Sequence, residues 1–178
     1  MRLFIASSFV LSIACATTGT AASTAASPAR VAELKALRPV NPKNGLIVLY
    51  RNTAFASMFG PIAYTGSVYV DQLPIGDIRD DSYAVIEVTP GRHSLRVQGS
   101  VSTVQLQSST VITADAGEPR YLQLDHQQGM TGGLSVKLQQ VDTASAVKDI
   151  STDCALAFNV NLGDEPVAKP KQVDATTL

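Results

Sequence analysis

The feature that most restricts the fold of this chain is an alternation of apolar and polar residues with a period of two. It recurs in short runs between Gly45 and Val141, and turn residues separate the runs at intervals of roughly 8–15 positions. Leu95 and Val97, for example, alternate with polar neighbours. Because successive side chains of a strand point to opposite faces, this pattern indicates sheets with one buried and one solvated face.

The number of these runs sets the fold class. About seven or eight are present, and no long helical period lies between them, which excludes alternating strands and helices. The sequence predicts an all-β protein with a single antiparallel β-sandwich, immunoglobulin-like or transthyretin-like, over residues 45–162. Pro74 places its strand at a sheet edge, because proline cannot donate to a central ladder. Short helices are expected at 28–37 and 143–150, and a last strand within 151–162.

The N-terminal segment indicates export. Arg2 is the only charged residue before Arg30, and an uncharged run of about 12 residues follows it from Leu3 to Ala14. Such a run is shorter than the roughly 20 apolar residues that cross a bilayer. A positive start, a short apolar stretch and small residues at its end are typical of a secretory signal peptide, which is predicted here at residues 1–14.

The end of this signal has two interpretations. The stretch from Leu11 to Cys15 resembles a bacterial lipobox, in which a small residue precedes a cysteine that becomes the acylated N terminus. Cys15 is then the lipidation site. Ala16 follows it rather than an aspartate, which favours the outer membrane of a Gram-negative host, with the domain facing the periplasm. In the alternative, ordinary signal cleavage near Cys15 releases a soluble periplasmic or secreted protein.

Both flanks of the predicted sandwich differ from it in composition. Residues 15–44 begin with small residues and are predicted to be a tether, with the short helix from Pro28 either docked or part of the tether. Residues 163–178 are mostly polar, contain two prolines and no aromatic residue, and are predicted to be a disordered tail.

Composition also excludes several classes of function. A net charge of −1 provides no general attraction for nucleic acid. Two cysteines and two histidines, well separated in sequence, provide neither a disulfide framework nor a multi-ligand metal site, and no cofactor motif is present. Because Cys15 is acylated or removed, Cys154 is interpreted as a small apolar residue, with intermolecular pairing as the alternative.

No catalytic site is predicted. His93 follows a turn and His126 follows a strand end, so both are expected in exposed loops. Neither is placed near Cys154 by the sequence, and a nucleophile needs its base within hydrogen-bond reach. Four acidic residues of the turns are expected to be solvated rather than to bind a cation: Asp80, Asp81, Asp115 and Glu118.

The long loop after the first strand is the predicted partner-binding region. Arg51 ends that strand and is expected either to bind an anionic ligand or to pair with a carboxylate on a neighbouring strand. Phe55, Met58, Phe59 and Tyr64 lie in or beside the loop, where exposed side chains would form a partner surface. The alternative is that they cap one end of the sandwich. A contiguous apolar patch would favour a protein partner, and polar surroundings with aromatic residues would favour a cell-wall glycan.

Several short motifs in a fixed order resemble a known family. They are Leu49-Tyr50-Arg51, Val68-Tyr69-Val70-Asp71, Ile75-Gly76, Ser82-Tyr83, Thr89-Pro90-Gly91-Arg92-His93 with Leu95, and the run from Ala116 to Leu122. By this order and spacing, residues 45–150 resemble the bacterial lipoprotein-associated family called domain of unknown function 2846. Residues 68–97 also resemble PEGA-type surface β modules. One departure is the turn at Asp80-Asp81, where the family often has a glycine.

This resemblance implies a small β-sandwich on an exported, often lipidated protein, and it implies no activity. Taken with the residues, it predicts a lipid-anchored envelope protein whose domain binds or supports a partner, either an envelope protein or a cell-wall glycan. One alternative is a soluble periplasmic or secreted binding or stress protein without an anchor. The third and least favoured alternative is a hydrolytic enzyme.

Overall fold

The computed structural model describes residues 27–52, 64–101, 104–128 and 134–163. Within these ranges the chain is mostly strand, with two helices. The helices are α1 (Pro28–Lys35) and α2 (Thr143–Asp153). The strands are β1 (Gly45–Arg51), β2 (Thr65–Val70), β3 (Leu73–Arg79), β4 (Ser82–Val88), β5 (Gly91–Val101), β6 (Val104–Ala114), β7 (Pro119–Gln128), β8 (Leu134–Val141) and β9 (Ala155–Asn161). The predicted signal peptide, Cys15 and nearly all of the predicted tail lie outside the described residues.

The strands form two sheets, as expected for a β-sandwich. The five-stranded sheet has the order β8-β7-β1-β4-β9, and the four-stranded sheet has the order β3-β2-β5-β6. The prediction of purely antiparallel sheets is wrong for the first of these. There, β1 runs parallel to β7, and β4 runs parallel to β9. All seven residues of β1 are buried, which is typical of a strand covered on both faces.

Two hydrophobic cores explain why both faces of the five-stranded sheet are covered. The first core fills the space between the two sheets and includes Ile47, Ile86 and Leu95. The second lies between the outer face of the five-stranded sheet and the two helices, and it includes Val48 and Val147. The molecule therefore has a helical layer in addition to the predicted sandwich.

Helix α1 is docked on the sheet and does not belong to a tether. Pro28 lies in its first turn, and Leu34 is buried in the second core. The hydroxyl of Tyr121 in β7 donates a hydrogen bond to the carbonyl oxygen of Leu34 over 3.3 Å. The prediction of a tether over residues 15–44 therefore fails for its described part, residues 27–44, and its docked alternative is confirmed.

Helix α2 begins where predicted and extends one turn further. Asp142 caps it by accepting a hydrogen bond from the backbone N–H of Ser145 over 3.0 Å. The hydroxyl of Tyr50 donates to Asp149 over 3.1 Å, which links the helix to β1. The last strand, β9, follows directly after Cys154 and is confirmed within the predicted range.

A buried carboxylate holds the connection between α1 and β1. Glu87 of β4 is buried, and its oxygens accept hydrogen bonds from the backbone N–H groups of Val40 and Asn41 over 2.9 and 3.0 Å. The side-chain amide of Asn44 donates a third bond over 2.8 Å. Burial alone would raise the pKa of Glu87, but these three bonds outweigh it and hold the pKa below its usual value.

The strand registers define two ends of the sandwich. At one, here called the Arg51 end, Arg51 is opposite Ser82 and Thr65 is opposite Arg79. The β3–β4 turn at this end carries Asp81 with φ +52, a conformation that favours glycine. The turn at Asp80-Asp81, which has no glycine, therefore still adopts a left-handed conformation at Asp81. Within the described residues, β3 is an edge strand, as Pro74 predicted.

Candidate functional site

Four side chains meet inside the Arg51 end, and we call them the Arg51 cluster: Arg51, Tyr64, Asp80 and His126. The Nε of Arg51 donates to Oδ1 of Asp80, and the Arg51 side chain is only 4% exposed. The guanidinium carbon of Arg51 lies 4.6 Å from the centre of the Tyr64 ring, in a cation–π contact. The Tyr64 and His126 rings meet edge to face, with centres 5.3 Å apart. Arg51 therefore pairs with a carboxylate, as one of its two predicted roles states, but Asp80 lies in the β3–β4 turn and not on a neighbouring strand.

Asp80 joins the two ends of the connection between β1 and β2. While Oδ1 accepts from Arg51 at the end of β1, Oδ2 accepts from the backbone N–H of Tyr64, just before β2, over 2.9 Å. One carboxylate therefore holds Arg51 and Tyr64, on the two sides of segment 53–63. The segment itself lies outside the described residues.

Two glycines make room for the Tyr64 ring. Gly66 and Gly99 are opposite each other in the β2–β5 pair. A Cβ on Gly66 would lie 2.4 Å from the Tyr64 hydroxyl oxygen, and a Cβ on Gly99 would lie 2.8 Å from the ring. The ring therefore packs on bare backbone, where any side chain would collide with it. Its hydroxyl is buried without a hydrogen-bond partner among the described residues.

The electrostatics of the cluster keep its histidine neutral. Burial, assisted by the positive charge of Arg51, lowers the pKa of His126 to about 4, although Asp80 acts in the opposite direction. Burial also raises the pKa of Tyr64. At neutral pH the cluster thus contains one ion pair and two neutral rings. Arg51, Tyr64 and His126 are 1–7% exposed, and the Asp80 side chain is 19% exposed, so the cluster is mostly buried.

The second histidine belongs to a network at the opposite end. The Nδ1 of His93 lies 2.7 Å from Oδ2 of Asp71, and its Nε2 lies 2.7 Å from the carbonyl oxygen of Thr89. The other oxygen of Asp71 accepts from the backbone N–H of Ser94 over 2.8 Å. This network joins the β2–β3 turn to the β4–β5 turn and uses both ring nitrogens of His93.

The prediction that both histidines lie in exposed loops is wrong. His93 is 8% exposed in β5, and His126 is 7% exposed in β7. The alternation of apolar and polar residues along both strands does indicate that the two histidines are buried. His93 is in phase with the buried Leu95 and Val97, and His126 is in phase with the buried Leu122 and Leu124.

Cys154 is buried at the start of β9. It is 1% exposed and a free cysteine, and its Sγ donates to the carbonyl oxygen of Arg51 over 3.4 Å. Burial, with a smaller contribution from Asp81, raises the pKa of its thiol to about 12. The thiol is therefore protonated at neutral pH, which fits the prediction of a small apolar residue and disfavours intermolecular pairing.

The predicted partner-binding residues separate into two groups. Arg51 and Tyr64 are 3% and 1% exposed, so they contribute no open surface. For Tyr64 the alternative of a cap at one end of the sandwich is the observed one. Phe55, Met58 and Phe59 lie outside the described residues, and their role stays a prediction.

The acidic turn residues do not form one site. Asp80 is paired with Arg51 at one end, whereas Asp115 is paired with Arg120 at the other. Within the part of the chain that the structure describes, no group of three or more His, Cys, Asp or Glu residues is arranged to hold a metal ion. A cleft of about 430 Å³ lies at the Arg51 end between β3 and β9, and it is lined by Asp77, Arg79, Asp80, Asp81, Ser82 and Ala155–Ala157.

The fold and this site define an all-β, two-sheet protein with a buried ion pair under one end. Comparison by sequence then identifies the family. The family described as "Protein of unknown function (DUF2846)" matches residues 41–134, more than half of the chain, and the protein belongs to it. The chain matches no curated protein and no solved structure. The resemblance to PEGA-type modules stays a prediction, and none of the described helices is long and apolar enough to cross a bilayer.

Proposed function

We propose that this protein is an exported, lipid-anchored envelope protein whose sandwich is a non-catalytic binding module. A signal peptide at residues 1–14 directs export, and Cys15 carries the lipid that attaches the chain to the outer membrane, facing the periplasm. One acyl chain binds a membrane only weakly, so stable attachment requires more than one on Cys15. The sandwich is of the immunoglobulin or transthyretin-like kind.

The observation that carries the binding proposal is the double contact of Asp80. A binding loop works best when rigid elements fix its two ends. Asp80 holds Arg51 and Tyr64, and both are anchored in the sandwich. We assign partner contact to Phe55, Met58 and Phe59 between them, while Arg51 and Tyr64 act as supports.

Three features favour binding over hydrolysis. Both ring nitrogens of His93 are occupied by Asp71 and Thr89. His126 is buried and neutral at pH 7. Cys154 is a buried, protonated thiol that donates its hydrogen bond to the carbonyl oxygen of Arg51. These groups are used to support the fold.

The partner that we favour is an envelope protein. The outer face of the four-stranded sheet is mostly polar, although Val111 is exposed on it. Its aromatic residue Tyr69 is covered by Arg96, whose guanidinium carbon lies 4.1 Å from the ring centre. A sugar ring stacks on an open aromatic face, so this face does not offer a ready platform. The large apolar side chains of Phe55, Met58 and Phe59 suit a protein surface better. A cell-wall glycan remains the second candidate.

The anchor is tested by intact-mass spectrometry of the full chain produced in a Gram-negative host. We expect a membrane-bound product that begins at Cys15 and carries a diacylglycerol and an additional acyl group. Cys15→Ser should remain unlipidated and leave the membrane fraction. A soluble wild-type product that begins beyond Cys15 would reject the anchor and favour the free periplasmic or secreted alternative.

The binding surface is tested by a photo-crosslinking amino acid at position 55 or 59 of the anchored chain. The matched control carries the same group at position 111, because Val111 is 57% exposed on the four-stranded sheet. We expect one discrete protein adduct from 55 or 59 and none from 111, and a weaker adduct after Asp80→Asn. Equal adducts from all positions would contradict the proposal, and retention on isolated cell-wall sacculi that depends on Phe55 and Phe59 would favour the glycan.

A further inference from the structure

The connection between α1 and β1 exposes an apolar side chain on a fixed backbone. It contains residues 38–43, here called the Val40 loop. Val40 is 87% exposed, more than any other large apolar side chain of the described residues. Its N–H and that of Asn41 donate to the buried carboxylate of Glu87 over 2.9 and 3.0 Å. A single exposed apolar side chain is common on proteins, but the chain could bury Val40 only by giving up these bonds.

Further hydrogen bonds fasten the rest of the loop. The side-chain oxygen of Asn41 accepts from the backbone N–H of Lys43 over 3.1 Å, and its carbonyl oxygen accepts from the N–H of Asn44 over 2.9 Å. The carbonyl oxygen of Asn44 accepts from the N–H of Gly117 over 2.8 Å, which joins the loop to the β6–β7 turn. A loop that is ordered before it binds loses little conformational entropy on binding.

Basic side chains surround Val40. Arg38 lies two residues before it and Lys43 three residues after it, and both are exposed. The Nη1 of Arg38 donates to the carbonyl oxygen of Lys35 over 3.2 Å, which holds the guanidinium at the C-terminal end of α1. The side chain of Lys35 is also exposed. Residues 34–44 contain these three cations and no acidic residue, so the surroundings of Val40 attract anions.

The Val40 loop lies at the end of the sandwich opposite the Arg51 end. Gly45, which follows the loop closely, is opposite Val88 in the β1–β4 pair, whereas Arg51 is opposite Ser82. Because β1 runs from one end to the other, the loop and the Arg51 cluster are separated by the length of a seven-residue strand. That strand is about 23 Å long. A surface that contacts the Val40 end therefore leaves the Arg51 end uncovered.

The two ends of the sandwich differ in charge. At the Val40 end, the carboxylates of Asp71 and Asp115 are bonded to His93 and Arg120. The other exposed charged side chains of the described turns and helix ends there are Lys35, Arg38, Lys43, Arg92, Glu118 and Asp142. The Arg51 end has four carboxylates and two guanidinium groups, those of Asp77, Asp80, Asp81, Asp153, Arg51 and Arg79. Positive charge thus predominates at the Val40 end and negative charge at the Arg51 end.

The chain before α1 is long enough to bring the Val40 end to a membrane. Cys15, the proposed lipid site, lies 13 positions before Pro28. A chain of that length spans at most about 45 Å when it is extended. Helix α1, which separates Pro28 from the loop, has 8 residues and is about 12 Å long. A lipid on Cys15 therefore keeps the Val40 end within reach of the headgroups.

We propose that the Val40 loop is a membrane-contact loop and that its occupant is an anionic phospholipid surface. Val40 enters the headgroup layer, while Lys35, Arg38 and Lys43 meet lipid phosphates. An apolar side chain among cations is the combination that binds such an interface, and its affinity is low without a second attachment. The inference deepens the function proposed above and takes the second attachment, the lipid on Cys15, from it. The contact turns the Arg51 end away from the bilayer, toward a partner.

The test is flotation of the mature chain, residues 15–178 with Cys15→Ser, with phospholipid vesicles. Vesicles of phosphatidylglycerol and phosphatidylethanolamine are compared with vesicles of phosphatidylcholine. We expect binding to the first kind alone and release at high salt. Lys35→Gln combined with Lys43→Gln should weaken binding by about tenfold or more, and Val40→Ser by about threefold. Binding to neither kind, or equal binding to both, would overturn the proposal.

Matched variants separate the loop from the charge of the whole chain. Lys137→Gln combined with Lys148→Gln changes the net charge equally, and both lysines are exposed away from the Val40 end. Val111→Ser is the control for Val40→Ser, because Val111 is 57% exposed on the four-stranded sheet. Both controls should bind vesicles like the wild type. Losses equal to those of the loop variants would show that the loop has no special role.

A second measurement identifies what the loop meets in the envelope. A photo-crosslinking amino acid is placed at position 40 of the lipid-anchored chain, and at position 111 as the control. We expect phospholipid adducts from position 40 and none from position 111. A discrete protein adduct from position 40 would overturn the membrane contact and assign the loop to a protein partner. Flotation needs no lipid on Cys15, so it can fail while mass spectrometry confirms the anchor, and it can succeed where the anchor is absent.

Discussion

At the scale of single residues, Asp80 has more consequences than any other member of the Arg51 cluster. It neutralises a guanidinium that is almost completely removed from water, and it holds the backbone at Tyr64. A buried charge that loses its partner cannot recover its solvation, so removal of one partner costs much more than the pair contributes. The ends of the β1–β2 connection are therefore sensitive to one carboxylate.

We expect Asp80→Asn to lower the free energy of unfolding by about 3 kcal/mol, because it leaves Arg51 buried without a counter-charge. Asp77→Asn is the control: Asp77 is exposed at the same end, where it accepts from the Ser67 hydroxyl over 2.8 Å. It should change stability by less than about 0.5 kcal/mol. Urea denaturation followed by circular dichroism measures both variants, and similar losses would argue against a special role for Asp80.

His126 should make stability depend on pH. Its pKa is 6.5 in an exposed setting and about 4 in the fold, so the unfolded chain binds the proton more readily. This contribution is complete above pH 6.5 and is lost as the pH falls toward 4. We expect His126→Gln to flatten the decline in unfolding free energy across this window. Parallel pH profiles of the variant and the wild type would contradict the assignment.

Two buried tyrosines should respond differently to loss of the hydroxyl. Tyr50 donates to Asp149 over 3.1 Å, so Tyr50→Phe should cost about 1 kcal/mol. The Tyr64 hydroxyl has no partner among the described residues, and Tyr64→Phe should be neutral or slightly stabilising. Thermal unfolding of the two variants checks this order, and an equal loss from both would indicate that Tyr64 has a partner in segment 53–63.

At the scale of elements, Glu87 joins three parts of the chain. Its carboxylate in β4 accepts hydrogen bonds from the backbone of the connection after α1 and from the side chain of Asn44 before β1. Because its pKa is depressed in the fold, its contribution is present above its unfolded pKa and is lost as the pH falls through the folded value. This loss begins below pH 4.5, at the acidic end of the His126 window.

We expect Glu87→Gln to destabilise the fold by about 2 kcal/mol, since one amide oxygen cannot satisfy three donors. The amide hydrogens of Val40 and Asn41 should exchange with solvent faster, because the single, uncharged oxygen of Gln leaves at least one of them without its acceptor and binds the other more weakly. Hydrogen exchange measured by NMR tests this directly. Glu118→Gln makes the same chemical change at an exposed turn and should leave both amides unchanged; unchanged exchange in Glu87→Gln itself would refute the idea.

The sequence predicted which segments form strands and helices better than it predicted which strands pair with each other. The branched and aromatic run of β1 identified a strand, and Pro74 identified an edge. The parallel partner of β1 could not be predicted, because pairing of distant strands is decided by packing of the whole sheet. The partner of Arg51 could not be predicted for the same reason. Arg51 and Asp80 are 29 positions apart, and only the fold brings their side chains together.

At the scale of the whole molecule, the family match covers less than the folded unit. It ends at residue 134, before most of β8 and before α2 and β9. Those elements form both edges of the five-stranded sheet and much of the cover over its outer face. Without them, Tyr50 and Val85 would lose their buried surroundings.

We therefore expect a fragment of residues 41–134 to lack a cooperative unfolding transition, whereas residues 27–163 should unfold in a single step. The reason is that the fragment exposes the outer face of the central strands and leaves two new sheet edges unpaired. Differential scanning calorimetry compares the two. A fragment that melts as sharply as the longer chain would show that the outer layer is an addition to an independent domain.

The strand order also determines when each strand can find its partners as the chain emerges from its N terminus. The strands of the four-stranded sheet come from one stretch, residues 65–114, so they can assemble early. Strand β1 emerges before them but must wait for β7, which begins at Pro119, to close its second side. Its apolar residues stay unprotected during that delay, and β9 arrives last of all. A chain that emerges from its N terminus therefore leaves one side of its first strand unpaired until about two thirds of its 178 residues have appeared.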